Sequence, residues 1–199
     1  MVQPQVRCSA KRVIRRLKRG NQQFITNPTA IRERRKTANV QEPCVVIVAC
    51  SDSRVPPSRL FSDRKLGRFF EVRSAGLVLD QSGIESIRYA VEQLKATTII
   101  VLGHTQCGAV KAAVDGSATN AYPFLAHALD PAVKQARRSR PFVDDMTGLV
   151  NATVRQSTVD RARAIRRLFS RHRHSEHVMI RAGVSNLETG RIQWFIGRI

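Results

Sequence analysis

The chain has 199 residues and lacks any apolar run near the roughly 20 residues that a membrane-spanning helix needs. Residues 1–20 also lack the apolar stretch of a secretory signal peptide. A protein without a membrane span is therefore expected, and a cytoplasmic location is the first expectation. The N-terminus is basic and poor in acids, which is also the composition of an organelle transit peptide, so an organelle location stays open.

Acidic residues are scarce, since 15 Asp and Glu stand against 34 Lys and Arg and give a formal net charge of +19. Residues 7–36 contain eleven basic side chains and one acid, and residues 161–173 contain six arginines and no acid. Such a field attracts polyanions, most strongly at low salt. Because the arginines are not interleaved with aromatic residues in any nucleic-acid signature, we interpret both segments as solvated helix faces. Nonspecific polyanion binding is expected only as a secondary property.

Cysteines are few, four in all, which disfavours a disulfide scaffold and indicates a reducing compartment. Cys44 stands at the entry to an apolar strand and is predicted to be part of the core. Three histidines at 172, 174 and 177 resemble a metal cluster, but the charge of Arg173 would repel a cation. That cluster is therefore a weak candidate.

Two central segments share one design. Residues 45–49 and 98–103 are apolar, β-branched runs, and each is typical of a fully buried strand. The first is followed by Cys50, Asp52 and Arg54, and the second by His104 and Cys107. Ligands of open α/β sheets bind beyond the carboxyl ends of parallel strands, so these side chains are predicted to meet at one edge of the sheet.

Two cysteines and one histidine are soft and borderline ligands that suit Zn²⁺, and a Cys₂His set leaves the fourth tetrahedral position open. Two buried thiols and a core histidine are the structural alternative, because free cysteine is among the most buried residue types. The presence of both segments, each at a strand end, favours a metal site. The planar fork of Arg54 is suited to orienting the carboxylate of Asp52 beside such a metal, whereas an isolated surface pair would contribute at most about 1 kcal/mol.

Four segments make the chain similar to the β-class carbonic anhydrases. They are residues 50–55 (CSDSRV), 72–76 (VRSAG), 103–110 (GHTQCGAV) and 186–191 (NLETGR). The resemblance implies an α/β fold with a central, mostly parallel sheet of four strands plus a C-terminal antiparallel strand. Helices flank this sheet, and an N-terminal helix serves for dimerisation. The chain is expected to be one domain, with a helical arm at 1–40 and an α/β core at 41–199.

The resemblance also implies the roles of the site residues. Cys50, His104 and Cys107 would bind one Zn²⁺ per chain. In the family, the carboxylate of the Asp52–Arg54 dyad accepts a hydrogen bond from zinc-bound water or hydroxide, or ligates zinc itself in an inactive state. Two further positions, Gln41 and Gly108, are expected to contact substrate.

The implied activity is the zinc-dependent, reversible hydration of CO₂ to bicarbonate and a proton, by attack of zinc-bound hydroxide. A homodimer or higher homo-oligomer is expected. Because two thiolates neutralise Zn²⁺, the pKa of its water should lie above the value of about 7 for a three-histidine site. Two alternatives stay open: a zinc hydrolase of carbonyl sulfide or carbon disulfide, and a basic binding protein on the same scaffold.

The remaining segments carry weaker expectations. Residues 26–44 have no clear period and are predicted to be a surface connection. Residues 69–73 form a strand, and 82–95 a helix that leads into the strand at 98–103, so these two strands are predicted to pair in parallel with a right-handed crossover. Residues 158–169 should form a basic helix, and the last strands, 177–182 and 191–196, an antiparallel hairpin.

Overall fold

A computed structural model of the protein describes residues 9–139, 145–170 and 178–195. The chain divides into two compact units, Met1–Gln41 and Glu42–Ile199. None of the helices among the described residues is long and apolar enough to cross a membrane. The three histidines at 172, 174 and 177 and the end of the predicted last strand lie outside the described residues.

The N-terminal unit consists of two helices, α1 (Ala10–Thr26) and α2 (Pro28–Thr37). The prediction of a surface connection over residues 26–44 is therefore wrong for most of its length. Helix α2 is polar on most of its surface, so it shows no apolar period, but its start carries a capping signal. The side chain of Asn27 accepts a hydrogen bond from the backbone N–H of Ala30, and Pro28 occupies the first turn.

Helix α1 segregates its side chains strongly but buries none of them in its own chain. Its apolar face is exposed at Ile14, Leu17 and Ile25, and Leu17 has 60% of its surface accessible. Arg34 of α2 donates hydrogen bonds to the carbonyl groups of Phe24 and Ile25, and its guanidinium lies 4.8 Å from the centroid of the Phe24 ring. The apolar face of α1 is thus available to a partner.

The second unit is built on a sheet in which β1, β2, β3 and β4 run parallel and β5 is antiparallel to β4, in the order β2-β1-β3-β4-β5. The predicted α/β class, with its C-terminal antiparallel strand, is confirmed. The strands are β1 (Val45–Cys50), β2 (Phe69–Ser74), β3 (Thr98–His104), β4 (Met179–Ser185) and β5 (Ile192–Trp194).

Helices flank the sheet. They are α3 (Pro57–Leu60), α4 (Gln81–Glu92), α5 (Gly108–Val114), α6 (Ala118–Ala121), α7 (Pro123–Ser139) and α8 (Met146–Ser170), with a 3₁₀ turn at Ala75–Leu77. Helix α8 begins well before the predicted residue 158, because Val150 and Val154 continue its buried stripe. Long helices were not predicted between residues 115 and 140, where α7 is found.

The order of the strands corrects one prediction. Strands β2 and β3 are parallel members of the same sheet, but they are not direct neighbours, because β1 lies between them. Local sequence indicates that two strands are joined by a crossover helix, whereas their separation in the sheet depends on the whole chain. The pairing of β1 with β3 aligns Ala49 with Leu102, which brings the carboxyl ends of both strands to the same level.

The core lies on both faces of β1 and β3. On one face, Val46, Val48, Ile99 and Val101 pack with residues of α4 and α8. On the other face, Ile47 and Leu102 form a smaller cluster. The prediction of Cys44 as a core residue is wrong, because this residue precedes β1 and is exposed.

Helix α8 approaches β3 closely at Gly103. A Cβ at this position would overlap Thr158 Oγ1 and would lie 3.0 Å from Val154 Cγ1. Thr158 cannot easily yield, because its hydroxyl is buried and donates a 2.7 Å hydrogen bond to the carbonyl of Val154. The absence of a side chain at Gly103 therefore allows the helix to pack beside the end of β3.

We expect Gly103→Ala to lower the free energy of unfolding by about 1–3 kcal/mol, because the added methyl group overpacks the helix–strand contact. Urea denaturation measures this change. Gly108→Ala is the matched control for stability, since a Cβ at Gly108 would meet no atom within 4 Å. Equal stability of the Gly103→Ala protein and the unmodified protein would contradict the packing account.

Candidate metal centre

Three side chains converge at the carboxyl ends of β1 and β3. Cys50 ends β1, His104 ends β3, and Cys107 immediately precedes α5. All three residues are buried, and their potential ligand atoms lie within 4.8 Å of one another. Among the described residues, they form the one group of at least three His, Cys, Asp or Glu that could hold a metal ion. The structure thus brings together the three residues predicted to meet.

The histidine is oriented for metal binding. Its Nδ1 lies 2.9 Å from the carbonyl oxygen of Thr105, and because a carbonyl can only accept, Nδ1 carries the hydrogen. The lone pair is then on Nε2, which is buried and has no hydrogen-bond partner among the described residues. A histidine that binds a metal through one ring nitrogen typically donates a hydrogen bond from its other ring nitrogen. An unsatisfied buried nitrogen beside two thiols fits a metal ion.

The two thiols lie within hydrogen-bonding distance of each other. Their sulfur atoms are 3.9 Å apart. The hydrogen bond from Cys107 is the main cause that lowers the pKa of Cys50, to about 4. The same hydrogen bond and burial raise the pKa of Cys107 well above its usual value. Ionisation of one thiol therefore disfavours ionisation of the other, so a metal bound by both sulfur atoms must displace at least one proton.

The candidate ligands surround a small cavity of about 10 Å³, which also has Gly76, Leu77 and Thr158 among its lining residues. A space of this size is close to that of one water molecule. The site is therefore scaled for an ion rather than for an organic cofactor.

Asp52 and Arg54 form a two-pronged ion pair at the edge of this centre. Arg54 Nε lies 3.0 Å from Asp52 Oδ1, and Arg54 Nη2 lies 2.7 Å from Asp52 Oδ2. The backbone N–H of Arg54 also donates to Oδ1. These hydrogen bonds are the main cause that lowers the pKa of Asp52 to about 2. Asp52 Oδ2 lies 3.7 Å from His104 Nε2, so the ionised carboxylate faces the ligand set.

Arg73 supports the loop that carries the first ligand and the dyad. Its guanidinium donates hydrogen bonds to the carbonyl groups of Cys50, at 3.0 and 3.1 Å, and of Asp52, at 2.9 Å. Residues 72–76 are one of the four segments that carry the family resemblance, but no role was predicted for Arg73. No local pattern reveals this role, because its acceptors are backbone carbonyls about twenty residues earlier in the chain.

Contact with substrate stays a prediction for both Gly108 and Gln41. Gly108 is exposed at the start of α5, next to Cys107, and the space where its Cβ would lie is open. Gln41 is the last residue of the N-terminal unit, and its contact with substrate stays a prediction.

Sequence reasoning missed three residues around the second ligand loop: Gln106, Asn151 and Glu188. Asn151 begins an Asn-Ala-Thr pattern that could have been a glycosylation acceptor, but its side chain accepts a hydrogen bond from the backbone of Gln106. Thr153, in the same pattern, is fully buried in α8. The pattern is therefore part of the internal structure.

Residues 45–192 match the family model described as carbonic anhydrase. The carbonic anhydrase of Mycolicibacterium smegmatis is 46% identical over 101 residues, which cover 48% of each protein. Carbonic anhydrase 2 of Mycobacterium tuberculosis is 42% identical over 115 residues, which cover 53% of this chain and 55% of that protein. The chain spans about half the length of the curated relatives it matches.

Two solved structures share the fold. The β-carbonic anhydrase CcaA superposes with a TM-score of 0.78 at 19% identity, covering 92% of this chain and 95% of that chain. The Coccomyxa β-carbonic anhydrase in complex with acetazolamide superposes with a TM-score of 0.72 at 20% identity, covering 96% and 87%. At these identities the likeness supports the fold alone.

We expect Cys107→Ala to abolish uptake of Co²⁺ as a probe metal, because it leaves one thiolate and one imidazole. The thiolate-to-cobalt absorption band measures this uptake. Cys44→Ala is the matched control, since its thiol is exposed and outside the cluster, and it should bind the ion as the unmodified protein does. Equal uptake by the Cys107→Ala and Cys44→Ala proteins would argue against the proposed ligand set.

Proposed function

The chain belongs to the β-class carbonic anhydrase family, and we propose that it catalyses the reversible hydration of CO₂ to bicarbonate and a proton. The observation that carries this proposal is the buried Cys50–His104–Cys107 cluster beside an ionised carboxylate that a guanidinium holds in place. Two thiol ligands and one imidazole suit Zn²⁺ and leave one tetrahedral position open, as a catalytic zinc requires. When bound, zinc supplies Lewis-acid activation of water for attack on carbon.

Asp52 would orient the attacking water in this reaction. Because Arg54 holds its pKa at about 2, Asp52 is a carboxylate throughout the neutral range and can only accept hydrogen bonds. A group with so low a pKa is a poor base at neutral pH, so its role is to position the water rather than to keep its proton. We propose that the proton passes to solvent or buffer.

Arg54 and Arg73 keep this carboxylate in place. Arg54 fixes the plane of the Asp52 side chain, and Arg73 fixes the backbone on either side of Ser51. Holding the carboxylate within hydrogen-bond distance of a reacting water removes orientational freedom from the reaction. We propose that these two arginines contribute to catalysis by keeping the Asp52 carboxylate rigid.

We also propose that the protein is a homo-oligomer in which a partner covers the apolar face of α1. The support is the exposure of Ile14 and Leu17 on a helix that buries nothing in its own chain. Among the structural neighbours, the β-carbonic anhydrases of Sordaria macrospora are tetrameric. Cytoplasmic location and nonspecific polyanion binding stay expectations from composition.

We expect Leu17→Glu to reduce the molecular mass in solution, because a buried charge destabilises an apolar interface. Sedimentation velocity measures the mass. The control is Arg15→Glu, which changes charge on the polar side of the same helix. Sedimentation of the unmodified protein as a monomer would contradict the proposed oligomer.

Stopped-flow CO₂ hydration, with zinc content measured in parallel, tests the activity. The rate should rise with pH through a pKa above neutrality, because two thiolates leave the zinc site with no net charge. Asp52 is already ionised across this range, so the rise should persist when it is replaced. A flat profile from mildly acid to alkaline pH would contradict the mechanism.

We expect Asp52→Asn to lower kcat about 100-fold while zinc content stays unchanged, because the amide orients water poorly. Asp63→Asn is the matched control, since Asp63 pairs with Arg68 in a similar way just before β2, at the amino end of the sheet. If the zinc-loaded protein does not hydrate CO₂, the alternative is hydrolysis of carbonyl sulfide or carbon disulfide. Both compounds should be assayed as substrates in the same experiment.

A further inference from the structure

The turn between His104 and Cys107 contains a residue in an unfavourable backbone conformation. Gln106 has φ of +54°, in the left-handed region that side chains other than glycine seldom occupy. It lies between His104 and Cys107, so its conformation sets the direction in which the chain leaves β3 and enters α5. Such a conformation persists only where the surroundings impose it.

Three side chains from three different parts of the fold hold Gln106. The backbone N–H of Gln106 donates to Asn151 Oδ1 of α8 at 2.9 Å. The Gln106 side-chain amide donates to Glu188 Oε1 at 2.7 Å. The Gln106 carbonyl accepts from Nη2 of Arg54 at 3.3 Å. Every polar group of the residue's main chain is thus engaged, together with its side-chain amide.

The turn that carries Glu188 is hydrogen-bonded to Thr105, the residue that follows β3. It belongs to the turn between β4 and β5, where Asn186 Oδ1 accepts hydrogen bonds from the backbone N–H groups of Glu188 and Thr189, both at 2.9 Å. The backbone N–H of Leu187 in this turn donates to Thr105 Oγ1 at 3.1 Å. The turn therefore presents the Glu188 carboxylate to Gln106 from a fastened position.

The contact with Arg54 connects this turn to the dyad. Nη2 of Arg54 donates both to Asp52 Oδ2 at 2.7 Å and to the carbonyl oxygen of Gln106 at 3.3 Å. The Arg54 side chain is about half exposed. Without a further contact, its guanidinium could rotate and lose one of its two hydrogen bonds to Asp52. The carbonyl of Gln106 limits that rotation.

We propose that Asn151 and Glu188 are positioning residues of the metal centre. They hold Gln106 in the left-handed conformation, and through it they fix Cys107 relative to His104 and restrain the guanidinium that orients Asp52. This inference rests on the proposed function, because it assigns these residues a role toward the zinc that the ligand set would bind.

The test is the rate at which zinc-loaded protein loses its metal to an excess of a chromogenic chelator. We expect Asn151→Leu and Glu188→Ala each to release zinc about 10-fold to 100-fold faster, the range found when groups outside the ligand set are removed. Asn151→Asp and Glu188→Gln keep an acceptor oxygen toward Gln106, so they should release zinc at nearly the original rate.

Gln193→Ala is the matched control. It removes the 3.0 Å hydrogen bond from Arg155 to Gln193 Oε1, which also joins α8 to the segment after β4 but does not contact Gln106. The control should release zinc as the unmodified protein does. Should Asn151→Leu fail to fold, Glu188→Ala in the exposed turn gives the same measurement.

Three results would overturn the inference: rates for Asn151→Leu and Glu188→Ala equal to the original, equal acceleration in their acceptor-keeping counterparts, or equal acceleration in Gln193→Ala. These results differ from failure of the proposed function. In that case the unmodified protein takes up no zinc, or takes it up and hydrates no CO₂, whereas the zinc-release comparison itself requires no turnover.

Discussion

The parallel pairing of β1 with β3 is the constraint on which the candidate centre depends. Aligned register ends both strands at one level, and each strand delivers a ligand there, Cys50 from β1 and His104 from β3. Cys107 joins them because the chain turns at once into α5. Both strands are covered on both faces, so their ends are held by the core, and a rigid pair of strand ends is a more accurate platform than two loops would be.

Charge and hydrogen bonding around this platform follow from its burial. Two thiols close together cannot both ionise at neutral pH without a cation, so at least one of them stays protonated. Nε2 of His104 has no hydrogen-bond partner among the described residues, a cost that a buried group bears only where something else satisfies it. Asp52 stays ionised beside this cluster because Arg54 grips both of its oxygens. Together these groups form a cluster that could hold a metal ion, with the carboxylate of Asp52 as an anionic acceptor beside it.

Rigidity is supplied by residues to which sequence reasoning assigned no role in the site. Arg73 fastens the loop after β1, and the proposed role of Asn151 and Glu188 is to fasten the turn after β3. The two fastened segments meet where Arg54 donates to both Asp52 and Gln106. The ligand loops can therefore be viewed as one hydrogen-bonded unit, and the site would be sensitive to substitutions well away from the ligands.

The sequence by itself determined the class of fold, the buried strands and the three residues that meet at their ends, because apolar period and the polar residues that follow it are local signals. It misjudged Cys44 and the helix at 28–37, where a short polar segment carries almost no period. Only the tertiary structure decided that β1 separates β2 from β3, that Arg73 holds the loop after β1, and that Gln106 is held by three side chains distant in sequence. Asn151, Arg54 and Glu188 lie 45, 52 and 82 positions from Gln106 in the sequence, and contacts over such separations arise from packing of the whole sheet, which no local pattern encodes.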